Sequence, residues 1–241
     1  MFLETPDIES STEDYASRFS GPVGEYFLAV QTDLTLKCLT SRSGASILDV
    51  GGGHAQLAVP LVKRNFRVTV TGSDESCRIL LDQRLKPDSF AFDLCDMLAL
   101  PYDNNSFDYV LAFRMLPHVD RWQQLLAEMC RVAGTAVIFD YPDIRSSNIL
   151  YDLLFSFKKK YEKNTRTFKM FRRSEISKEL EDNNFSQPQF SPQFFLPMVI
   201  HRSLQKVRLS KSMEAVCRAL LLTKYFGSPI IVKSMNKSQR T

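Results

Sequence analysis

The chain has 241 residues and a mass of 27.6 kDa, with 44% hydrophobic and 24% charged residues. This composition is typical of a folded globular protein and excludes a chain that is disordered along its whole length. The net charge of +4, from 31 basic and 27 acidic residues, is too small to indicate nucleic-acid binding by itself.

The five cysteines are far apart, with no C-x-x-C pair and no cysteine and histidine cluster at metal-ligand spacing. We therefore expect buried, reduced thiols, and neither a zinc site nor a disulfide framework. The first residues, M-F-L-E-T-P-D-I-E-S, lack the basic and then apolar pattern of a secretion signal. No apolar run is long enough to cross a bilayer, and we expect a cytoplasmic protein.

The N-terminal part is predicted to be polar and then helical. Residues 1–13 are acidic, and we expect them to be poorly ordered. Helical spacing of apolar side chains predicts helices over residues 15–19 and 26–38, with an interruption at Gly21 and Pro22.

From Ser46 onward, short apolar strands alternate with helices. The strands are predicted at residues 46–50, 66–71, 89–93, 107–112 and 135–139, and the helices at 56–63, 75–84 and 122–132. This alternation predicts an α/β fold with a doubly wound, mostly parallel sheet covered on both faces.

Beyond Tyr141 the pattern is less regular. Residues 148–157 are predicted to be helical, Ser174 to cap a helix that ends near 183–184, and residues 211–225 to form a further helix before a strand at 229–233. The phenylalanine-rich stretch 190–200 has two interpretations, core strand residues or the wall of an apolar ligand pocket.

The stretch S-I-L-D-V-G-G-G-H-A-Q-L, residues 46–57, is the centre of the predicted site. Its strand leads into three consecutive glycines, so the backbone can turn sharply where no side chain obstructs a ligand. A carboxylate such as Asp49 at a buried strand end is costly unless it meets a cation or hydrogen-bond donors. Asp74 follows the second predicted strand and Asp96 follows the third, at the edge where doubly wound sheets bind ligands.

We compare two kinds of ligand for this arrangement, a dinucleotide and a nucleoside without phosphate. A dinucleotide site requires G-x-G-x-x-G, but Gln56 stands at the third glycine position, and the charge of Asp49 would repel phosphates. A nucleoside without phosphate and with a cationic amino-acid end fits better. Asp49 would then lie near the amino group, Asp74 at the ribose hydroxyls and Asp96 at the adenine amino group.

These residues resemble the class I S-adenosylmethionine-dependent methyltransferases, and within them the group similar to quinone-biosynthesis and other small-molecule methyltransferases. The resemblance covers roughly residues 15–141. It includes D-x-G-x-G, the acid after the second strand, and D-M-L-A-L-P-Y-D-N-N-S-F-D-Y-V, which is similar to that group's G-D-A-x-x-L-P-F-x-D-x-S-F-D-x-V. It implies a Rossmann-like seven-stranded sheet whose last strand is antiparallel.

The resemblance also implies a division of the chain and a set of cofactor contacts. Residues 1–40 would be an N-terminal helical cap, 41–145 the cofactor-binding core and 146–241 a part that completes the sheet and adds acceptor-site helices, within a single domain. The implied contacts of S-adenosyl-L-methionine are Asp49, Gly51, Gly53, Asp74, Asp96 and Met97, with Arg114 and Tyr15 on its other side.

The sequence departs from the family pattern in three places. Ala55 stands where the family often has a third glycine, and Cys95 replaces the glycine before Asp96. The segment R-M-L-P-H, residues 114–118, carries an arginine on the pocket side and a proline before its histidine, which leaves the acceptor side open.

Candidate catalytic residues are His118, after the fourth strand, and Tyr141, at the end of the fifth, with Asp140 beside it. His54 is a second candidate base, a structural role being the alternative for each histidine, and His201 is expected to be unrelated. The basic run 158–173, which includes Tyr161, is interpreted as a solvated segment or as a contact for an anionic acceptor, rather than as a nucleic-acid site.

The predicted function is methyl transfer to a small, partly apolar acceptor by in-line displacement. Two alternatives stay open at this point: a partner or regulatory protein that binds the cofactor without catalysis, and an NAD-dependent dehydrogenase. The acceptor can be amphiphilic or anionic, contact with a membrane surface is compatible with the sequence, and the sequence does not determine the number of subunits.

Overall fold

The computed structural model describes residues 2, 4–39, 44–146 and 168–239. The predicted helix at 148–157, Tyr161 and most of the basic run lie outside the described residues. The strands are β1 (Ser46–Val50), β2 (Arg67–Gly72), β3 (Ala91–Leu94), β4 (Phe107–Ala112), β5 (Ala133–Tyr141), β6 (Gln189–Phe194) and β7 (Ser228–Met235).

These strands form one seven-stranded sheet in the order β3-β2-β1-β4-β5-β7-β6. The pairs from β3 to β5 are parallel, and β7 runs antiparallel to both of its neighbours, β5 and β6. The predicted α/β class and the antiparallel last strand are therefore confirmed. The strand order reverses between β1 and β4, which is where doubly wound sheets open a crevice for a ligand.

The α-helices of the described residues cover both faces of this sheet. They are α1 (Pro6–Ser10), α2 (Glu13–Ser17), α3 (Gly21–Cys38), α4 (Ala58–Val62), α5 (Ile79–Arg84), α6 (Trp122–Val132), α7 (Arg173–Asp182), α8 (Met198–Leu204), α9 (Val207–Ala219) and α10 (Leu222–Phe226). Short 3₁₀ turns lie at Gly52–His54, Glu75–Arg78, Pro87–Ser89, Leu116–His118 and Lys237–Gln239.

The core has two halves, one on each face of the sheet. Along β1, Leu48 and Val50 belong to the half that packs against α6 and α7, whereas Ile47 belongs to the half against α4 and α5. This alternation follows from the period of two in a strand, and both faces are apolar because both are covered. A third cluster joins α3 to β6 through Tyr26, Phe27 and Phe194.

The N-terminal expectation is wrong. Residues 6–10 form α1, and its Asp7 and Ser10 side chains are buried. The helix start at Thr5 and Pro6, with acids in the first turn, is a signal that the polarity of the segment concealed.

Several predicted boundaries also shift. The predicted helix 75–84 is a 3₁₀ turn followed by α5, and the stretch 190–200 divides into the end of β6 and the start of α8. The predicted helix 211–225 begins earlier, at Val207, and breaks at Leu221, whose φ is 62°. Ser174 is not a cap: α7 begins at Arg173, and the Glu175 carboxylate accepts a hydrogen bond from the backbone N–H of Arg172 at 2.7 Å.

All five cysteines are buried free thiols, as expected from their spacing. Within the described ranges, no helix is both long enough and apolar enough to span a membrane.

Candidate functional site

The glycine turn follows β1 directly and has no room for side chains. Gly51 has a φ of 68°, in the left-handed region, and a Cβ there would lie 2.7 Å from the Met115 sulfur. A Cβ on Gly52 would overlap with the Asp49 carboxylate. Ala55, at the family's third glycine position, is also left-handed, with a φ of 58°, so the small residue accepts the turn at some cost in strain.

The Asp49 side chain is fully buried beside this turn. Neither of its carboxylate oxygens has a hydrogen-bond partner among the residues the structure describes. Burial without a partner raises the pKa of Asp49 from 3.8 to about 7. Two unpartnered acceptor oxygens next to a side-chain-free turn are suited to a ligand that brings N–H donors or a positive charge.

The other two acids lie at the ends of the neighbouring strands. Asp74 is exposed, and it accepts a hydrogen bond from the backbone N–H of Ser76 at 2.9 Å, which caps the following turn. Hydrogen bonds from the Ser76 hydroxyl and from this N–H lower the pKa of Asp74. Asp96 is half-buried and accepts from the N–H of Leu98 at 2.9 Å. In each case one carboxylate oxygen stabilises the local turn, and the parallel order of β1, β2 and β3 brings all three acids to one edge of the sheet.

Helix α1 lies on this glycine turn, which the sequence did not predict. The fully buried Asp7 carboxylate accepts hydrogen bonds from the backbone N–H of Ser73 at 2.6 Å and from the Ser73 hydroxyl. The Ser11 hydroxyl packs so closely on Gly53 that a Cβ there would overlap with it. The N-terminal helices therefore cover the edge of the sheet where the acids converge.

A cavity of about 290 Å³ lies at the carboxyl ends of β4 and β5, and Met115, which follows the cavity residue Arg114, packs on Gly51 of the turn. It includes the predicted residues Tyr15, Arg114, His118, Asp140 and Tyr141. Its apolar wall is contributed by the turn after α2, by α3, and by the stretch from the end of β6 to the start of α8: Phe19, Phe27, Phe194, Phe195, Leu196 and Met198. The pocket interpretation of the 190–200 stretch thus applies to its second half, whereas Phe190 packs against the core and under Arg173.

Arg114 is the most constrained residue of this cavity. Its φ is 62°, and its backbone N–H donates to the Asp140 carboxylate at 2.6 Å. Its Nη2 donates to Gln31 Oε1 at 2.9 Å, and its guanidinium lies 4.0 Å from the centre of the Phe19 ring. Burial lowers its pKa, but a guanidinium remains charged at neutral pH.

The two acidic groups at the end of β5 differ in their proton affinities. Burial raises the pKa of Asp140 to about 6, against the hydrogen bond from Arg114. Tyr141 is fully buried, and burial raises the pKa of its hydroxyl, so it keeps its proton at neutral pH. His118 is half-buried, with its ring centre 5.8 Å from that of Phe168.

The other two histidines are structural. His54 is fully buried within the glycine turn, its Nδ1 accepts from the N–H of Gln56 at 3.2 Å, and burial lowers its pKa to about 3. Its enclosure and low pKa favour the structural interpretation of His54 over its candidate role as a base. His201 lies 3.2 Å from Glu214, both fully buried, and packs edge-on against Phe27.

The described cations of the basic run contact the protein itself. Lys169 lies 5.0 Å from the centre of the Trp122 ring, and Arg173 donates to the Asp143 carboxylate at 3.0 Å. Residues 158–167 of the run lie outside the described residues.

Comparison with known protein families matches residues 48–137 to a family described as a methyltransferase domain. That range runs from β1 into β5 and contains the glycine turn and all three acids. The resemblance to class I methyltransferases and to the quinone-biosynthesis group is thereby confirmed.

Two curated relatives share this similarity. The 27-O-demethylrifamycin SV methyltransferase of Amycolatopsis mediterranei (strain S699) is 32% identical over 119 residues, which cover 46% of this chain and 43% of that protein. The demethylmenaquinone methyltransferase of Shouchella clausii (strain KSM-K16) is 34% identical over 105 residues, 41% of this chain and 45% of that protein. The chain thus spans less than half the length of either relative.

A solved structure extends the likeness beyond the methyltransferase domain. The geranyl diphosphate C-methyltransferase from Streptomyces coelicolor A3(2), solved with Mg²⁺, geranyl-S-thiolodiphosphate and S-adenosyl-L-homocysteine, superposes with a TM-score of 0.61 at 15% identity. The match covers 86% of this chain and 76% of that one. This likeness shows the Rossmann-like fold, and none of the comparisons supports either alternative function.

Proposed function

We propose that the protein is an S-adenosylmethionine-dependent methyltransferase that acts on a small, partly apolar acceptor. The observation that carries the proposal is Asp49, a buried carboxylate with no protein partner in the described chain, beside a turn that has no room for side chains. The names of the relatives and the homocysteine-type cofactor product in the Streptomyces structure support the same function.

The residues present fit such a cofactor. A cationic amino group would satisfy the two free oxygens of Asp49, and the turn at Gly51 and Gly53 accommodates a ligand at close approach. The full set proposed to hold the cofactor is Asp49, Gly51, Gly53, Asp74, Asp96 and Met97. Arg114 and Tyr15 line the cavity. Because Met115, the residue after Arg114, packs on Gly51, these two residues adjoin the cofactor set on its cavity side.

The cofactor would supply an electrophilic methyl group on a sulfonium, which an acceptor atom attacks as the carbon–sulfur bond breaks. The protein therefore needs no nucleophilic side chain, and its task is to align the acceptor and exclude water. The aromatic wall of the cavity, with Phe19 and Phe194 among its residues, suits both tasks because it is apolar and partly enclosed.

A proton leaves the acceptor in most such transfers, and we propose that His118 or Asp140 receives it. Both line the cavity, and with a pKa of about 6 Asp140 is ionised at neutral pH. Tyr141 keeps its proton, so its role would be to donate a hydrogen bond to an acceptor oxygen rather than to act as a base.

Calorimetric titration with S-adenosyl-L-homocysteine tests the cofactor part of the proposal. Asp49→Asn should weaken binding about ten- to hundredfold, because it removes a charge-assisted hydrogen bond. The matched control is Asp88→Asn, the same substitution at an exposed position. Absence of binding to the folded wild-type protein at millimolar ligand would contradict the proposal.

Mass spectrometry of acceptors incubated with protein and S-adenosyl-L-methionine tests catalysis. The relatives are named for a demethylated quinone and a demethylated rifamycin, so a reduced naphthoquinone and a macrocyclic alcohol are suitable first acceptors. A methylated product that depends on the protein and is reduced in Asp49→Asn supports the proposal. Bound cofactor that is never converted with any acceptor of a broad panel would support the regulatory alternative instead.

Cellular location and membrane contact belong to the same proposal. Five buried free thiols are typical of a reducing compartment and support a cytoplasmic location. Exposed apolar side chains around α9 and α10, including Val216, Leu220 and Phe226, support contact with a membrane surface. Co-sedimentation with lipid vesicles checks that contact.

A further inference from the structure

The cavity beside the glycine turn contains buried polar atoms for which the described protein provides no partner. They are Gln31 Nε2, Arg114 Nη1, the Tyr141 hydroxyl and Gln193 Nε2. Each of the four can donate a hydrogen bond. Leaving a buried donor unpaired is unfavourable, and four around one cavity indicate that a ligand with acceptor oxygens completes them.

The orientation of Gln31 is determined by its neighbour. Arg114 can only donate hydrogen bonds, so the Gln31 atom that faces Arg114 Nη2 at 2.9 Å has to be the oxygen. The Gln31 amide nitrogen, buried and without a partner in the described chain, is then a donor that lines the cavity. Arg114 Nη1 and Gln31 Nε2 therefore form a donor pair fixed by their own hydrogen bond.

The Arg114 guanidinium forms no salt bridge with an acid of the described chain, although the nearby Asp140 carboxylate favours its charged form. Its side chain donates to the Gln31 amide, forms a hydrogen bond with the Tyr15 hydroxyl, and lies over the faces of the Phe19 and Tyr15 rings. The Asp140 carboxylate accepts from the backbone N–H of Arg114 instead. A cation held in an apolar pocket by an amide and aromatic rings favours an anionic ligand.

The backbone of Arg114 supports the same conclusion. A φ of 62° at a non-glycine residue is unfavourable, and the hydrogen bond to Asp140 maintains it. Glycine or asparagine would accept that backbone with less strain. The strain is therefore associated with the placement of a guanidinium at the cavity.

We infer that the cavity binds an apolar, ring-sized molecule through an anionic oxygen, a carboxylate or an ionised ring hydroxyl, which Arg114 Nη1 and Gln31 Nε2 contact. The inference that such a molecule binds depends only on the residues of the cavity. The identification of this molecule as the methyl acceptor rests on the proposed function. The carboxylate of the cofactor's methionine part is a second source of the same chemistry, and the experiment separates the two.

The probe is 2-naphthoate, a two-ring carboxylate suited to a cavity of about 290 Å³, and its neutral control is 2-naphthamide. Affinities for the apo-protein are measured by ligand-observed NMR titration, in parallel with S-adenosyl-L-homocysteine. Arg114→Met should weaken naphthoate binding about ten- to hundredfold, because it removes a charged donor. Naphthamide and S-adenosyl-L-homocysteine should change by less than about threefold.

A second variant keeps the test valid if Arg114→Met does not fold. Gln31→Glu has nearly the same shape and places a carboxylate beside Arg114, so it should exclude naphthoate while naphthamide still binds. The matched controls are Arg64→Met and Gln123→Glu, at exposed positions; both should bind naphthoate as the wild type does.

Three results would overturn the inference. The first is that the wild type binds naphthoate and naphthamide with equal affinity, and the second is that it does not bind naphthoate at millimolar concentration. The third is that Arg114→Met loses S-adenosyl-L-homocysteine binding but binds naphthoate as the wild type does. The last result would assign Arg114 to the cofactor. Failure of the wild type to bind S-adenosyl-L-homocysteine contradicts the proposed function and leaves the naphthoate comparison intact.

Discussion

Replacement of Asp49 by asparagine should make the ligand-free protein more stable at alkaline pH. The Asp49 carboxyl is fully buried without a partner in the described structure, and burial raises its pKa from 3.8 to about 7. A tenfold change in a proton equilibrium corresponds to about 1.4 kcal/mol. Ionised Asp49 in the folded state therefore carries about 4 kcal/mol of unfavourable free energy above pH 7.

The sign follows from the direction of the pKa change. Because the folded-state pKa is higher than the unfolded one, the favourable contribution of Asp49 is fully present below about pH 4 and is lost as pH rises through about 7. Asparagine does not ionise, so the stability gain of Asp49→Asn should be small near pH 4 and increase to at most about 4 kcal/mol near pH 8.

Urea unfolding of the ligand-free wild type and variant, followed by circular dichroism from pH 4 to pH 8, measures this gain. Asp140, whose pKa burial raises to about 6, titrates in both proteins and cancels in their difference. Asp88→Asn controls for the loss of an exposed acid. A variant that is no more stable at pH 8, or a gain that does not change with pH, would refute the assignment of a strained, unpaired carboxylate.

Three further substitutions test other parts of the site. Gly51→Ala should lower the free energy of unfolding by about 1–2 kcal/mol, because its φ of 68° is left-handed; urea unfolding checks this, and an unchanged midpoint would contradict it. Glu214→Gln should cost about 1–3 kcal/mol in the same assay, because this buried carboxylate accepts from two backbone N–H groups after β6, and it should also weaken 2-naphthoate binding. Asp7→Ala should release α1 from Ser73, so limited proteolysis should cut within residues 4–19 faster than in the wild type, whereas Asp14→Ala, at an exposed position, should leave the rate unchanged.

Local sequence patterns predicted well the elements that are apolar along one face or along their whole length. The strand Phe107–Ala112 and the helix Trp122–Val132 were predicted with the observed bounds, because each has one clear apolar period. Elements near the sheet edge or divided by a left-handed residue were predicted less well. Leu221, which ends α9 early, illustrates why: its backbone conformation depends on packing and has no signal in residue type.

The candidate site shows the same division. The glycine turn and the acids after β1, β2 and β3 were visible in the sequence, because each lies directly at a strand end and parallel strands bring such ends together. The polar partners of the cavity were not visible. Arg114 meets Gln31 from 83 residues away, and Asp7 meets Ser73 from 66 residues away.

For this protein the sequence by itself determined the class of fold, the turn around which the candidate cofactor site is built, and the three acids at its edge. These follow from short-range rules, namely the two-residue and 3.6-residue periods and the freedom of glycine. Only the tertiary structure decided which ionisable groups are usable. His54 is enclosed and neutral, Tyr141 retains its proton, and Asp49 and Asp140 titrate near neutrality. A pKa depends on burial and on charges that the fold brings from distant parts of the chain, and no local pattern contains that information.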